Sequence, residues 1–142
     1  IFMNIKLDNL NIKGHAITFL VSLIFFPVSI LGQLLGGLVG EFFVYYNNTF
    51  SIFSIPSVVA VVSSHFISGY IAGYSSGFVI NKIYKKSIIK TALVFPVLII
   101  SLAILGDISY AFKNGVDLQL LGHIIRNPVT ILIYWKTMND LR

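Results

Sequence analysis

The sequence predicts an all-α fold: a polytopic membrane helix bundle with four transmembrane helices and both termini cytoplasmic. Three observations predict it. Of 142 residues, 56% are hydrophobic and only 11% are charged, where a soluble domain carries about a quarter charged residues. Mean hydropathy is +0.89. Apolar runs long enough for a bilayer alternate with short polar segments, and the basic residues collect in those segments. So few charges could not cover the surface of a soluble fold of this size. One integral membrane domain, 1–142, is the expectation.

The first segment, 3–15, is polar and reads as a terminal arm or interfacial turn, with Met3 as the natural start and no cleavable signal. The run over 16–40 has no charge and is long enough to cross a core of roughly 30 Å, with Pro27 inside it as a source of a kink. Glu41 ends it. Tyr45, Tyr46, Asn47 and Asn48 then suit the headgroup level.

A second span is expected over 55–80, with Pro56 at a first-turn position. A third covers 89–106 and is ended by Asp107, which opens a polar connection over 107–117. The last stretch, 118–135, is interrupted by His123, Arg126 and Asn127-Pro128. It is either a fourth span or an amphipathic helix lying on the surface. The basic residues favour four spans. The connection over 82–90 is lysine-rich and should be cytoplasmic, whereas 41–54 has no Lys or Arg and should lie outside. Four crossings then put Lys6, Lys13, Lys136 and Arg142 inside as well. The expected location is a bacterial-type plasma (inner) membrane.

Two stripes of glycine stand out. Gly32, Gly36 and Gly40 recur every fourth residue in the first span, and Gly69, Gly73 and Gly77 do so in the second. Small residues at this spacing let another backbone approach closely, which is where packing gain arises in lipid. They serve either internal packing or an interface with another chain. Helical rise puts Gly36 and Gly73 roughly 20 Å apart in depth. The two stripes should therefore not face each other, and each should receive a different helix, from the last two spans or from another chain.

Gln33, His65 and Arg126 are the polar groups expected at membrane depth. Gln33 and His65 fall at similar depth, so His65 reads as a neutral histidine hydrogen-bonded to a serine or to Gln33, with proton relay or ion binding as the alternative. With no carboxylate in any span, Arg126 would need an acidic partner from elsewhere or reach a headgroup. Lys82, Lys85, Lys86 and Lys90 form the only basic cluster, read as a topology signal or as a contact for anionic lipid headgroups.

The charge of +5 is spread between apolar runs, so the expected partners are membrane lipids and other transmembrane subunits, in a hetero- or homo-oligomer, and not nucleic acid. The chain has no cysteine, which removes disulfides and thiolate chemistry. His15, His65 and His123 show no ligand spacing, so no metal site and no cofactor are expected. No Ser/His/Asp grouping stands at matched depth, so an enzyme is not expected. The leading expectation is a non-enzymatic accessory or scaffolding subunit of a larger membrane complex. The alternative is a small oligomeric channel or transporter with a polar path near His65 and Gln33.

Overall fold

The computed structural model describes residues 12–45 and 55–141. They are helical, with no strand among them. The elements are α1 (Ile12–Ser22), α2 (Phe25–Tyr45), α3 (Ile55–Ile83), α4 (Ile89–Asn114) and α5 (Leu118–Asp140). Three stretches are long and apolar enough to cross a membrane: Ile12–Gly40, Ile55–Ile83 and Ile89–Asn114. The aromatic segment after Tyr45 and the arm before Ile12 lie outside the described residues.

The first span is broken in two. A turn at Leu23 and Ile24 separates α1 from α2. Pro27 has no N–H to offer the Leu23 carbonyl, and that carbonyl instead accepts from Phe26 N at 3.3 Å. The break lets α1 leave the line of α2 and pack on α4, while α2 packs on α3. α1 also begins α4: the Ile88 N–H donates to Thr18 Oγ1 at 3.1 Å, and His15 Nδ1 meets Thr91 Oγ1 at 2.6 Å. Ile88 is the N-cap residue of α4 and has no capping side chain of its own, so Thr18 supplies the cap from another helix.

The third span runs past its expected end. Asp107 does not stop α4, which continues to Asn114 and closes on Gly115 at φ 83°, with Gly115 N donating to Ala111 O. The carboxylate therefore sits inside a transmembrane-length helix. Asp117 caps α5, its Oδ1 accepting from Leu120 N at 2.8 Å.

α3 is the hub. On one face it meets α2 antiparallel: a Cβ built on Gly32 would lie 2.6 Å from Ala72 Cα, one on Gly36 would fall on Ser68 Cα, and one on Gly40 on Ser64. On another face it meets α5 in parallel. Gly69 lies under Arg126, Gly73 under Thr130 and Gly77 under Thr137. The second stripe thus receives the last helix. The first stripe receives α3 on its Ser64, Ser68 and Ala72 side, so the two stripes do not face each other, but the partner of the first is α3 and not one of the last two spans as expected. Depth explains the difference. α2 begins at Phe25 rather than Ala16, so Gly36 is about midway along it and packs only five residues from Gly73, roughly 8 Å along the axis of α3.

The core gathers at the lysine-rich end of the bundle, from Phe25, Ile80, Ala92, Tyr134 and Met138. Phe25 meets Tyr134 edge-on at 5.3 Å. Pro96 lies within α4 and denies the Ala92 carbonyl its helical N–H. The buried Tyr134 hydroxyl donates to that carbonyl at 3.0 Å. Large apolar side chains point outward along the bundle, among them Leu31, Leu35, Leu38, Leu98, Leu102 and Leu105, each more than half exposed. Such a surface suits acyl chains and not water.

Candidate functional site: a polar cluster between three helices

α4 and α5 form a hairpin about Gly115, and Asp107 and His123 are equidistant from it in sequence. The hairpin brings them together: His123 Nδ1 lies 2.8 Å from Asp107 Oδ1. One turn further along α5, Asn127 Nδ2 donates to Asp107 Oδ2 at 3.4 Å, and Asn127 is 97% buried (3% exposed). Both carboxylate oxygens thus have partners on α5. A cavity of about 370 Å³ opens beside them between α4 and α5, lined by Asp107, Asn127, Ile104, Ile108, Leu120 and Ile124.

α3 approaches the pair from the other side of α5, outside the lining of this cavity. The His65 ring lies over Gly122, close enough that a Cβ there would come 2.5 Å from the ring atoms. This glycine is what lets His65 reach α5 between the helices. Its ring is 5.8 Å from that of His123, centroid to centroid. His65 Nδ1 lies 2.9 Å from Val61 O and 3.2 Å from Ser64 Oγ. Arg126 sits on the next turn over Gly69, and its Nε is buried without a hydrogen-bond partner among the described residues. The result is a cluster of ionisable groups, Asp107, His123, His65 and Arg126, with Asn127 beside them, where α3, α4 and α5 meet. It can hold a proton or a small charged group, because it combines a carboxylate, two imidazoles and a guanidinium away from bulk water. Ser64 and His65 do not join Asp107 as a nucleophile triad, since the carboxylate is paired with His123.

The sequence-singled polar residues divide. His65 and Arg126 are in the cluster. Gln33 is not: its backbone carbonyl accepts from Ser68 Oγ at 3.1 Å on the α2 side of α3. Of the two partners expected for His65, the structure shows the serine, Ser64, together with the Val61 carbonyl, and not Gln33. Asp107 stands in the same cluster as Arg126, but its two oxygens are taken by His123 and Asn127, and no ion pair joins it to Arg126 among the described residues. Asp107, His123, Asn127 and Gly122 escape sequence reasoning because Asp107 reads as a stop signal. Their signal is the symmetry of 107 and 123 about Gly115. The described part of the lysine cluster lies at the opposite end, with Lys82 Nζ 5.9 Å over the Phe78 ring and Lys85 beside it on a small cavity.

Fold and site together define a class: an all-helical protein with three helices of membrane-crossing length and an internal ionisable cluster. Compared with known proteins, the chain has no match among family models, curated proteins or solved structures.

Proposed function

We propose that this chain is a small membrane transport protein that carries a proton, alone or coupled to a small solute, through the Asp107–His123–His65 cluster. The observation that carries the reading is the 2.8 Å contact between Asp107 and His123, with the His65 ring tilted against that of His123 at 5.8 Å across the α3–α5 seam. A carboxylate and two histidines on three helices meet the usual requirement for moving protons at membrane depth. The parallel run of α5 along α3 supports a fourth crossing. With the lysine-rich connection cytoplasmic, both termini then lie inside. The cluster falls in the outer half, with its cavity between α4 and α5. The apolar core of Phe25, Ile80, Tyr134 and Met138 closes the bundle on the cytoplasmic side, as expected of a carrier open toward one side.

The test is flux. Purified protein in liposomes holding a pH-sensitive dye should dissipate an imposed proton gradient, and Asp107→Asn should lower the rate at least tenfold. Equal rates for the two proteins would overturn the reading.

One observation favours a second reading, an accessory subunit of a larger membrane complex. Of the 26 residues of α4, only Ala92 and Pro96 are buried, so most of that helix is open to a partner. Fixed-stoichiometry co-purification with unlike chains in mild detergent, with no flux from the purified protein alone, would favour it.

A further inference from the structure

α4 is held to the bundle near its two ends and stands free between them. On the lysine-rich side of Pro96 it is anchored by two helices. Thr18 Oγ1 of α1 accepts from Ile88 N, His15 Nδ1 of α1 meets Thr91 Oγ1, and the Tyr134 hydroxyl of α5 donates to the Ala92 carbonyl. Ala92 and Pro96 are buried, and Leu93, Phe95 and Ile100 pack against the core. Residues 101–106 are then all exposed. At about 100° per residue, six in a row cover every face of the helix, including the one turned toward α5. The next contact is Asp107, whose two oxygens are bonded to His123 and Asn127 of α5. Beyond it the contacts belong to the turn: Tyr110 Oη donates to Asp117 Oδ2 at 2.8 Å across Gly115. Gly115 sits at φ 83°, and a Cβ there would meet nothing within 4 Å, so the backbone is open at this end. The 370 Å³ cavity lies along the loose stretch, with Ile104, Ile108 and Ala111 of α4 facing Leu120 and Ile124 of α5.

From this arrangement we infer that 97–114 is a gate arm that pivots at Pro96, is latched to α5 through Asp107, and opens the cavity when the latch is released. Pro96 removes one rung of the helical ladder, and proline is where helices bend. In lipid the apolar side chains of the arm meet acyl chains as readily as protein, so burial does little to hold it and the polar contacts decide its position. α5 is the fixed side of the gate. Gly69 and Gly73 of α3 lie directly under Arg126 and Thr130, and His65 lies over Gly122. A cargo that engages the Asp107 oxygens displaces His123 or Asn127, so loading the site and freeing the arm are one event. That last step rests on the transport reading; the arm and its latch do not.

The test is a pair of distances between spin labels, measured by pulsed electron resonance on the full chain in lipid nanodiscs. The chain has no cysteine to interfere. Phe66→Cys on α3 is paired with Phe112→Cys on the arm, or with Val94→Cys on the anchored side of Pro96; all three positions are exposed. From Pro96 to Phe112 the arm is about 24 Å long, so a further bend of about 20° moves its end by roughly 8 Å. Asp107→Ala and His123→Ala should each lengthen or broaden the 66–112 distance by about that much and leave 66–94 unchanged. Adding Pro96→Ala to Asp107→Ala should return 66–112 toward its original value, because the pivot is then a continuous helix. An unchanged 66–112 distance in both latch variants would overturn the inference, and so would equal changes in the two distances, which would mean that the whole helix moves. An arm that moves in a protein without proton flux would leave this inference standing and sink the transport reading alone.

Discussion

Replacing Tyr134 by Phe should destabilise the bundle through one identifiable atom, the carbonyl oxygen of Ala92. Pro96 cannot donate to that carbonyl, and the Tyr134 hydroxyl is the donor that meets it, at 3.0 Å. Both Ala92 and Tyr134 are fully buried. Tyr134→Phe keeps the ring and its edge-on contact with Phe25, so the loss is confined to the hydrogen bond. Stranding a buried carbonyl costs about 1–3 kcal/mol, and interhelical bonds in lipid run toward the lower part of that range. The expected loss is about 1–2 kcal/mol. Pro96→Ala gives the Ala92 carbonyl a helical N–H, so in that background Tyr134→Phe should cost less than about 0.5 kcal/mol. Equilibrium unfolding in mixed micelles, run on both single variants and the double, measures the difference. An equal cost of Tyr134→Phe in the two backgrounds would refute the reasoning, because the hydroxyl would then be serving something other than the carbonyl that Pro96 leaves free.

Other substitutions follow from the same packing. Gly36→Ala pushes a methyl onto the Ser68 backbone and should cost about 1–3 kcal/mol by the same unfolding assay, whereas Gly37→Ala meets nothing within 4 Å and should be neutral or slightly stabilising. Gly122→Ala collides with the His65 ring, the end of a side chain rather than backbone; the fold should survive while proton flux in liposomes falls several-fold. Thr18→Val removes the hydroxyl that caps α4 at Ile88 and should cost about 1 kcal/mol, seen as a lower melting temperature in detergent.

Composition and apolar run length were enough to find the helices, and proline and lysine positions found the start of α3 at Ile55 and the connection before α4. Pro27 announced a kink in the first run, and the break falls one turn before it, at Leu23 and Ile24, because the Leu23 carbonyl is the one that loses its helical N–H to the proline. A glycine repeat announces that some backbone comes close but not whose, which is why the partner of Gly32, Gly36 and Gly40 had to be read from three dimensions. Asp107 misled in a more general way. A charge at the end of an apolar run has the same sequence appearance whether it stops a helix at the surface or sits within one beside a histidine. Here α4 ends at Gly115, at positive φ, and the seven residues between are what turn a boundary charge into a member of the candidate site.

The membrane placement of these helices underlies every functional statement above, and the absence of native cysteine allows a clean test of it. Lys86→Cys, Asn114→Cys and Asn139→Cys, made one at a time, report on the two ends of α4 and the far end of α5. In intact cells a membrane-impermeant thiol reagent should label only the Asn114 position, and the other two should react after the membrane is opened. Labelling at both Asn114 and Asn139 in intact cells would mean that α5 does not cross, and labelling at all three would contradict a membrane-spanning bundle altogether.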